Sequence, residues 1–356
     1  MKILFCALKY EYGNPLAGFA SIEYGAFYAT LKRMPGIEVE YFPMDEIISQ
    51  IGRDRMNKKL ISEVEKKKPD LLFCILFTDQ IKPETISYIT DKTSTKTFNW
   101  FADDSWRFHI FSKYWAPLFT QIATTDPGAI AKYKALGINN VMSTQWAANP
   151  AVYHLPAMKK KVSGLGVTFV GAKYGNRGAY LEFLKNRGLP AEGFGNDWPN
   201  GRVSVDRMVE VFYSSRVNLN FTETPFMTSK ERLRIFSRPF LKHEQNGWRL
   251  NFRNPLGYLR SAIDSQRRQF KARIFEVPAC GGFLLTGKVE GLADYYNIGR
   301  EILVFDGKKD LLEKCSYYMA HDDARVAIAK AGYERTIKDH TYEKRFEEIF
   351  KKMGLY

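Results

Sequence analysis

The sequence predicts an α/β protein built as two doubly wound, parallel-sheet domains. Three observations predict it. Over residues 1–155, short apolar runs alternate with amphipathic stretches, the pattern of buried parallel strands covered by helices. A polar, lysine-rich stretch from Pro156 to Gly166 breaks that pattern, and a new apolar run begins at Val167. The chain closes on a stretch whose apolar residues recur at helical spacing, and 356 residues suffice for two cores of ordinary size.

In chain order, the first domain, residues 1–155, offers strands at Lys2 to Leu8, Val39 to Phe42, Asp70 to Phe77, Thr97 to Phe101, Gln121 to Thr124 and Asn140 to Ser143. The Lys66-Lys67-Lys68-Pro69 run ends a helix, since cations suit the last turn and proline stops the helical ladder. The second domain, residues 156–335, offers Val167 to Gly171, Ala191 to Phe194, Val217 to Phe221, Phe283 to Thr286 and Ile302 to Phe305. Residues 336–356 hold the closing helix, with Tyr342, Phe346, Ile349, Phe350 and Met353 on one face and its N-cap at or near Thr341.

Composition excludes several classes. No apolar run approaches the roughly 20 residues that span a bilayer, and the apolar start Ile3 to Leu8 is too short for a secretory leader. Cys6, Cys74, Cys280 and Cys315 lie far apart without a Cys-x-x-Cys pair, which predicts free thiols in a reducing, cytoplasmic setting. The five histidines are equally scattered, and no metal-ligand spacing exists among them. Asn14-Pro15-Leu16-Ala17-Gly18 lacks the Gly-x-Gly-x-x-Gly fingerprint, so a nicotinamide cofactor is not expected.

The most informative run is Lys271-Ala272-Arg273-Ile274-Phe275-Glu276-Val277-Pro278-Ala279-Cys280-Gly281-Gly282, followed by the apolar Phe283-Leu284-Leu285-Thr286. It reads as a helix that opens on two cations, with free N–H groups to offer an anion such as a diphosphate. Gly171, at the end of a strand, and the loop through Asn176 and Arg177 let backbone approach phosphate. Gly18 and Gly195 follow other strands; turn geometry alone also accounts for glycine there. Asp103 and Asp104 follow the Thr97 to Phe101 strand, where α/β proteins place ligands, and read equally as a general base or as a helix cap.

These residues, with Trp100-Phe101-Ala102-Asp103-Asp104, Thr124-Thr125-Asp126-Pro127, Phe169-Val170-Gly171, Phe194-Gly195, Glu301 to Asp306 and His340-Thr341-Tyr342, carry a resemblance. The chain resembles the GT-B glycosyltransferases, and among them the CgeB-like family of spore-maturation and related proteins. The resemblance implies two Rossmann-like domains facing a cleft, with the last helix crossing back to the first domain. It implies a hexosyltransferase that takes a sugar from a UDP- or GDP-linked donor and retains the anomeric configuration. No metal is required on that reading. The donor would be bound by Gly18, Gly171, Asn176, Arg177, Gly195, Lys271, Arg273 and Glu276, with Glu276 accepting from the ribose, and catalysis would involve Asp103, Asp104 and Glu276. Glu276 matches the second acidic residue of the Glu, seven residues, Glu motif; the first falls on Arg268, where no carboxylate stands.

The formal charge of +14 is concentrated. From Lys230 to Arg273 twelve basic residues face three acidic ones, interleaved with Phe236, Phe240, Trp248, Phe252, Tyr258 and Phe270. Residues 226–266 read as a basic, aromatic insertion that governs the acceptor. Its candidate partners are an anionic or surface-polymer acceptor, nucleic acid, and peripheral contact with the inner face of a membrane. Alternative readings are a phage-type DNA-modifying glucosyltransferase and a non-catalytic GT-B module. Oligomeric state is not encoded in any of these features.

Overall fold

The structure is a computed structural model that describes every residue except 77, 157–163, 223–240, 245–246, 251–253 and 356. The chain divides into two compact units, residues 1–145 with 342–356, and residues 146–341. The sequence reading puts these divisions at 155/156 and 335/336. The structure moves both, because the Ala148 N–H donates to the His340 carbonyl at 3.0 Å and Ala148 bridges Thr341, tying residues 146–149 to the second unit.

In the first unit, β1 (Lys2–Ala7), β2 (Glu38–Pro43), β3 (Leu71–Cys74), β4 (Lys96–Phe101), β5 (Gln121–Thr124) and β6 (Val141–Ser143) form one sheet in the order β2-β1-β3-β4-β5-β6. Every pairing in it is parallel. β1, β3 and β4 are buried along almost their whole length, the continuous apolar reading of a sheet covered on both faces. The covering helices include α1 (Met44–Ile51), α2 (Arg53–Lys67), α3 (Pro83–Lys92) and α4 (Pro127–Lys134). α2 ends as expected, with Lys66 and Lys67 in its last turn and Lys68 left-handed at its C-cap.

In the second unit, β7 (Val167–Val170), β8 (Ala191–Phe194), β9 (Val217–Asn220), β12 (Leu284–Gly287) and β13 (Leu303–Phe305) pair in parallel in the order β13-β12-β9-β7-β8. The helices are α5 (Arg177–Lys185), α6 (Val205–Ser214), α7 (Pro255–Asp264), α8 (Arg273–Ala279), α9 (Gly307–Ala320) and α10 (Asp322–Asp339). Within the proposed insertion, β10 (Leu241–Glu244) and β11 (Gly247–Leu250) form an antiparallel hairpin that the sequence reading lacks. Its alternation is hidden because Lys242, Glu244 and Arg249 sit among the apolar residues. The rest of the insertion before Asn254 lies outside the described residues.

The closing helix α11 (Tyr342–Lys352) belongs to the first unit. Tyr342, Phe346, Ile349 and Phe350 are fully buried. The Phe27 ring meets Tyr342 at 4.6 Å and Phe346 at 5.6 Å, while Phe73 packs edge-on to Phe346 at 5.7 Å. At its far end the Lys96 ammonium donates to the Met353 carbonyl at 2.6 Å. Each buried ring adds about 1.5 to 3 kcal/mol, so α11 is core rather than appendage.

Candidate functional site

The second unit's strand order reverses direction between β7 and β9: the chain leaves β7 for β8 on one side and returns to β9 on the other. In open α/β sheets ligands bind beyond the strand carboxyl ends at such a point. Two glycines shape it here. Gly171 (φ 157°) and Gly195 (φ 130°) follow β7 and β8, and a Cβ on Gly195 would stand 2.5 Å from the Gly171 carbonyl oxygen. The Trp198 indole N–H donates to that same oxygen at 2.7 Å, and the Lys173 N–H reaches the Asn196 carbonyl at 2.8 Å. The two loops are thereby fixed edge to edge.

Arg177 opens α5 beneath the β7 loop and is 7% exposed. One terminal nitrogen donates to the Ala172 carbonyl at 2.9 Å, and the other to the Tyr174 hydroxyl at 2.7 Å. Its guanidinium lies 3.7 Å from the Tyr174 ring centroid. No described carboxylate pairs with it, and its Nε is buried without a partner. Burial first, and then the nearby Arg273 cation, hold its pKa below the ordinary arginine value. A buried, uncompensated cation is costly to keep.

Arg273 is held differently. It bonds to Glu276 one turn along α8, its Nε donates to the Val170 carbonyl at 3.3 Å, and its guanidinium lies 5.6 Å from the Phe212 ring centroid. Burial pushes its pKa down, yet Glu276 and Tyr153 outweigh burial and keep it raised. Glu276 is 3% exposed, and the Tyr153 hydroxyl bonds to it as well. The carboxylate expected on a ribose is therefore committed to an arginine and a tyrosine in this structure. Tyr153 is a partner that sequence reasoning missed, because it precedes α8 by over a hundred residues and no local pattern links them.

At the start of α8 three N–H groups are already engaged. The Ile274 N–H already donates to the Lys271 carbonyl at 3.0 Å, and those of Phe275 and Glu276 donate to Ala272 at 2.9 and 3.0 Å. Lys271, half-buried, reaches the Gln269 side chain at 3.0 Å. Asn176 sits at the N-cap of α5 without a side-chain capping bond. Arg268, in the place of the missing carboxylate, pairs with Asp306 at 3.3 Å, beside Lys288 at 2.8 Å from the same residue. Arg268 and Lys288 line a cavity of about 390 Å³.

Three predicted residues lie in the first unit. Gly18 ends the turn Pro15–Ala17 at φ 70°, and a Cβ there would meet nothing within 4 Å, so turn geometry explains it. Asp104 is fully buried: Tyr133 donates to it at 2.8 Å, and burial, partly offset by Ser112, Thr124 and Tyr133, pushes its carboxyl up to about 6. Its carboxyl is enclosed by protein groups. Asp103 is half-buried, and its carbonyl accepts from Trp106 and Arg107 at 3.1 and 2.9 Å. The acid that feels Asp103 is Glu23, half-buried in the first turn of a π-helix over Glu23–Tyr28 and held above the usual carboxylate range by burial and then by its acidic neighbours. Among the described residues no cluster of acids, cysteines and histidines could hold a metal ion.

Residues 177–351 match the family described as Glycosyl transferase-like. Over those residues, just under half of its length, the chain carries a glycosyl transferase-like domain. Solved structures agree on the fold: sucrose-phosphate synthase from Thermosynechococcus elongatus superimposes with a TM-score of 0.64 at 10% identity over 99% of both chains. A glycosyltransferase from Rickettsia africae gives 0.59 at 11%, covering 98% of this chain and 97% of its own. Anabaena HepE, solved with UDP and glucose, gives 0.56 at 13% over the whole of both. No curated protein matches in sequence. The GT-B fold and the glycosyltransferase assignment expected from the sequence thus stand; these matches do not confirm the narrower CgeB-like grouping.

Proposed function

We propose that this glycosyltransferase takes a hexose from a UDP-linked donor, the diphosphate meeting Arg177 with Arg273 and Lys271 at the carboxyl end of β7. The observation that supports it is Arg177: a cation kept buried without a described carboxylate, with an unpartnered Nε, at the carboxyl end of β7 where the strand order reverses. A diphosphate supplies the missing counter-charge, and Arg binds phosphate oxygens through two N–H groups at once. UDP as the nucleotide is supported by the UDP-bound structural neighbour. Charge that builds on the departing diphosphate would be met by these protein cations rather than by a metal ion.

Within the same proposal, Glu276 exchanges the Arg273 contact for the donor ribose, freeing the guanidinium for phosphate. Retention is the outcome that the half-present motif suggests, with Asp103 and Glu23 on the acceptor side. Calorimetric titration tests the core of this reading. UDP and UDP-hexose should bind the parent and lose about 1 to 3 kcal/mol in Arg177→Met, the range for a hydrogen bond to a charged group. Undiminished binding in that variant would place the diphosphate elsewhere. Glu23→Gln should lower kcat while leaving UDP affinity unchanged; equal turnover in steady-state transfer assays removes Glu23 from the chemistry.

A further inference from the structure

Helix α7 presents its apolar side outward. Asn254 caps it, accepting from the Gly257 N–H at 2.9 Å, and Pro255 stands in the first turn. Its buried side consists of the small or polar Gly257, Ser261, Ala262 and Asp264. Its outer side carries Leu256, 70% exposed, Leu259, 40% exposed, and Ile263, 59% exposed. These stand at i, i+3 and i+7, one face of a helix, with Arg260 exposed beside them. A helix that served only to cover a sheet would show the reverse arrangement.

The exposed charge on α7 and in the turn after it is basic: Arg260 and Arg267 are exposed, and the one acid of the helix, Asp264, is buried and paired with Arg267 at 3.3 Å. We propose that α7 docks this glycosyltransferase onto an anionic lipid bilayer, with Leu256, Leu259 and Ile263 in the boundary between headgroups and acyl chains and Arg260 among the lipid phosphates. Aliphatic residues flanked by arginine suit that boundary. Single-stranded nucleic acid would instead ask for exposed rings on which bases stack, and the one ring on α7, Tyr258, is half-buried. A second copy of the chain would set arginine against arginine.

The proposal does not depend on the donor reading, because vesicle binding is measured without nucleotide. The full chain should float with phosphatidylcholine vesicles containing phosphatidylglycerol, not with phosphatidylcholine alone, and added salt should weaken the association. The variant Leu256→Ser with Leu259→Ser and Ile263→Ser should bind anionic vesicles about tenfold or more weakly with an unchanged thermal midpoint. Leu256→Ser alone and Arg260→Glu should each show a smaller loss. No flotation by the parent, or equal flotation by the triple variant, overturns the proposal. So does a lowered midpoint in Leu256→Ser, which would mean that the chain itself covers the face. A dimer, or single-stranded DNA binding, lost in the triple variant while vesicle binding persists would assign the face to that partner instead.

Discussion

Arg177 and Asp104 are both buried ionisable groups, and their different roles follow from what surrounds them. Arg177 faces a glycine-lined loop and has a nitrogen to spare; Asp104 is enclosed by Tyr133, Ser112 and Thr124. A carboxyl whose folded pKa, about 6, lies above its unfolded value of 3.8 binds more protons in the native state. The stability it contributes is therefore complete below about pH 4 and is lost as pH rises through about 6. Asp104→Asn should remove that slope, so the parent should lose on the order of 2 to 3 kcal/mol relative to the variant between about pH 4 and 6.5. Urea unfolding across this range measures it, and parallel curves would mean that Asp104 is not the group. The sequence shows Asp103 and Asp104 as an equal pair; burial, which no dipeptide encodes, separates them.

Among the elements, the loops after β7 and β8 depend on backbone approach more than on side chains. A methyl on Gly195 would meet the Gly171 carbonyl at 2.5 Å from a backbone angle of 130°, so neither the space nor the conformation admits alanine. Gly195→Ala should destabilise the protein by about 1 to 3 kcal/mol and weaken UDP binding, because the Gly171 to Arg177 loop must shift. An unchanged denaturant midpoint would show that the two loops are not coupled. The parallel strands were legible because buried runs such as Leu-Leu-Phe-Cys and Val-Thr-Phe-Val need no partner to be recognised. The β10–β11 hairpin was not, since charged residues mask its alternation.

For the whole molecule, α11 completes the first unit with residues that follow the second in the chain. Phe346, fully buried against Phe27, Phe73 and Trp100, is its central contact. Phe346→Ala should cost about 3 to 5 kcal/mol, and scanning calorimetry should show it in the transition of the first unit. UDP should raise the transition of the second unit alone, as a ligand stabilises only what binds it. If one transition responds to both, the units unfold as one.

The sequence by itself determined the α/β class, the two parallel sheets, the closing amphipathic helix and the basic run around Arg273. Each of these rests on periodicity or composition within a few residues, which a linear pattern can carry. Only the tertiary structure decided that Asp104 is sealed, that Glu276 is held by Arg273 and Tyr153, and that α7 turns its leucines outward. Those are statements about burial and about contacts between segments distant in sequence. They are fixed by how sheets and helices pack, and a residue's neighbours in the chain do not specify its neighbours in space.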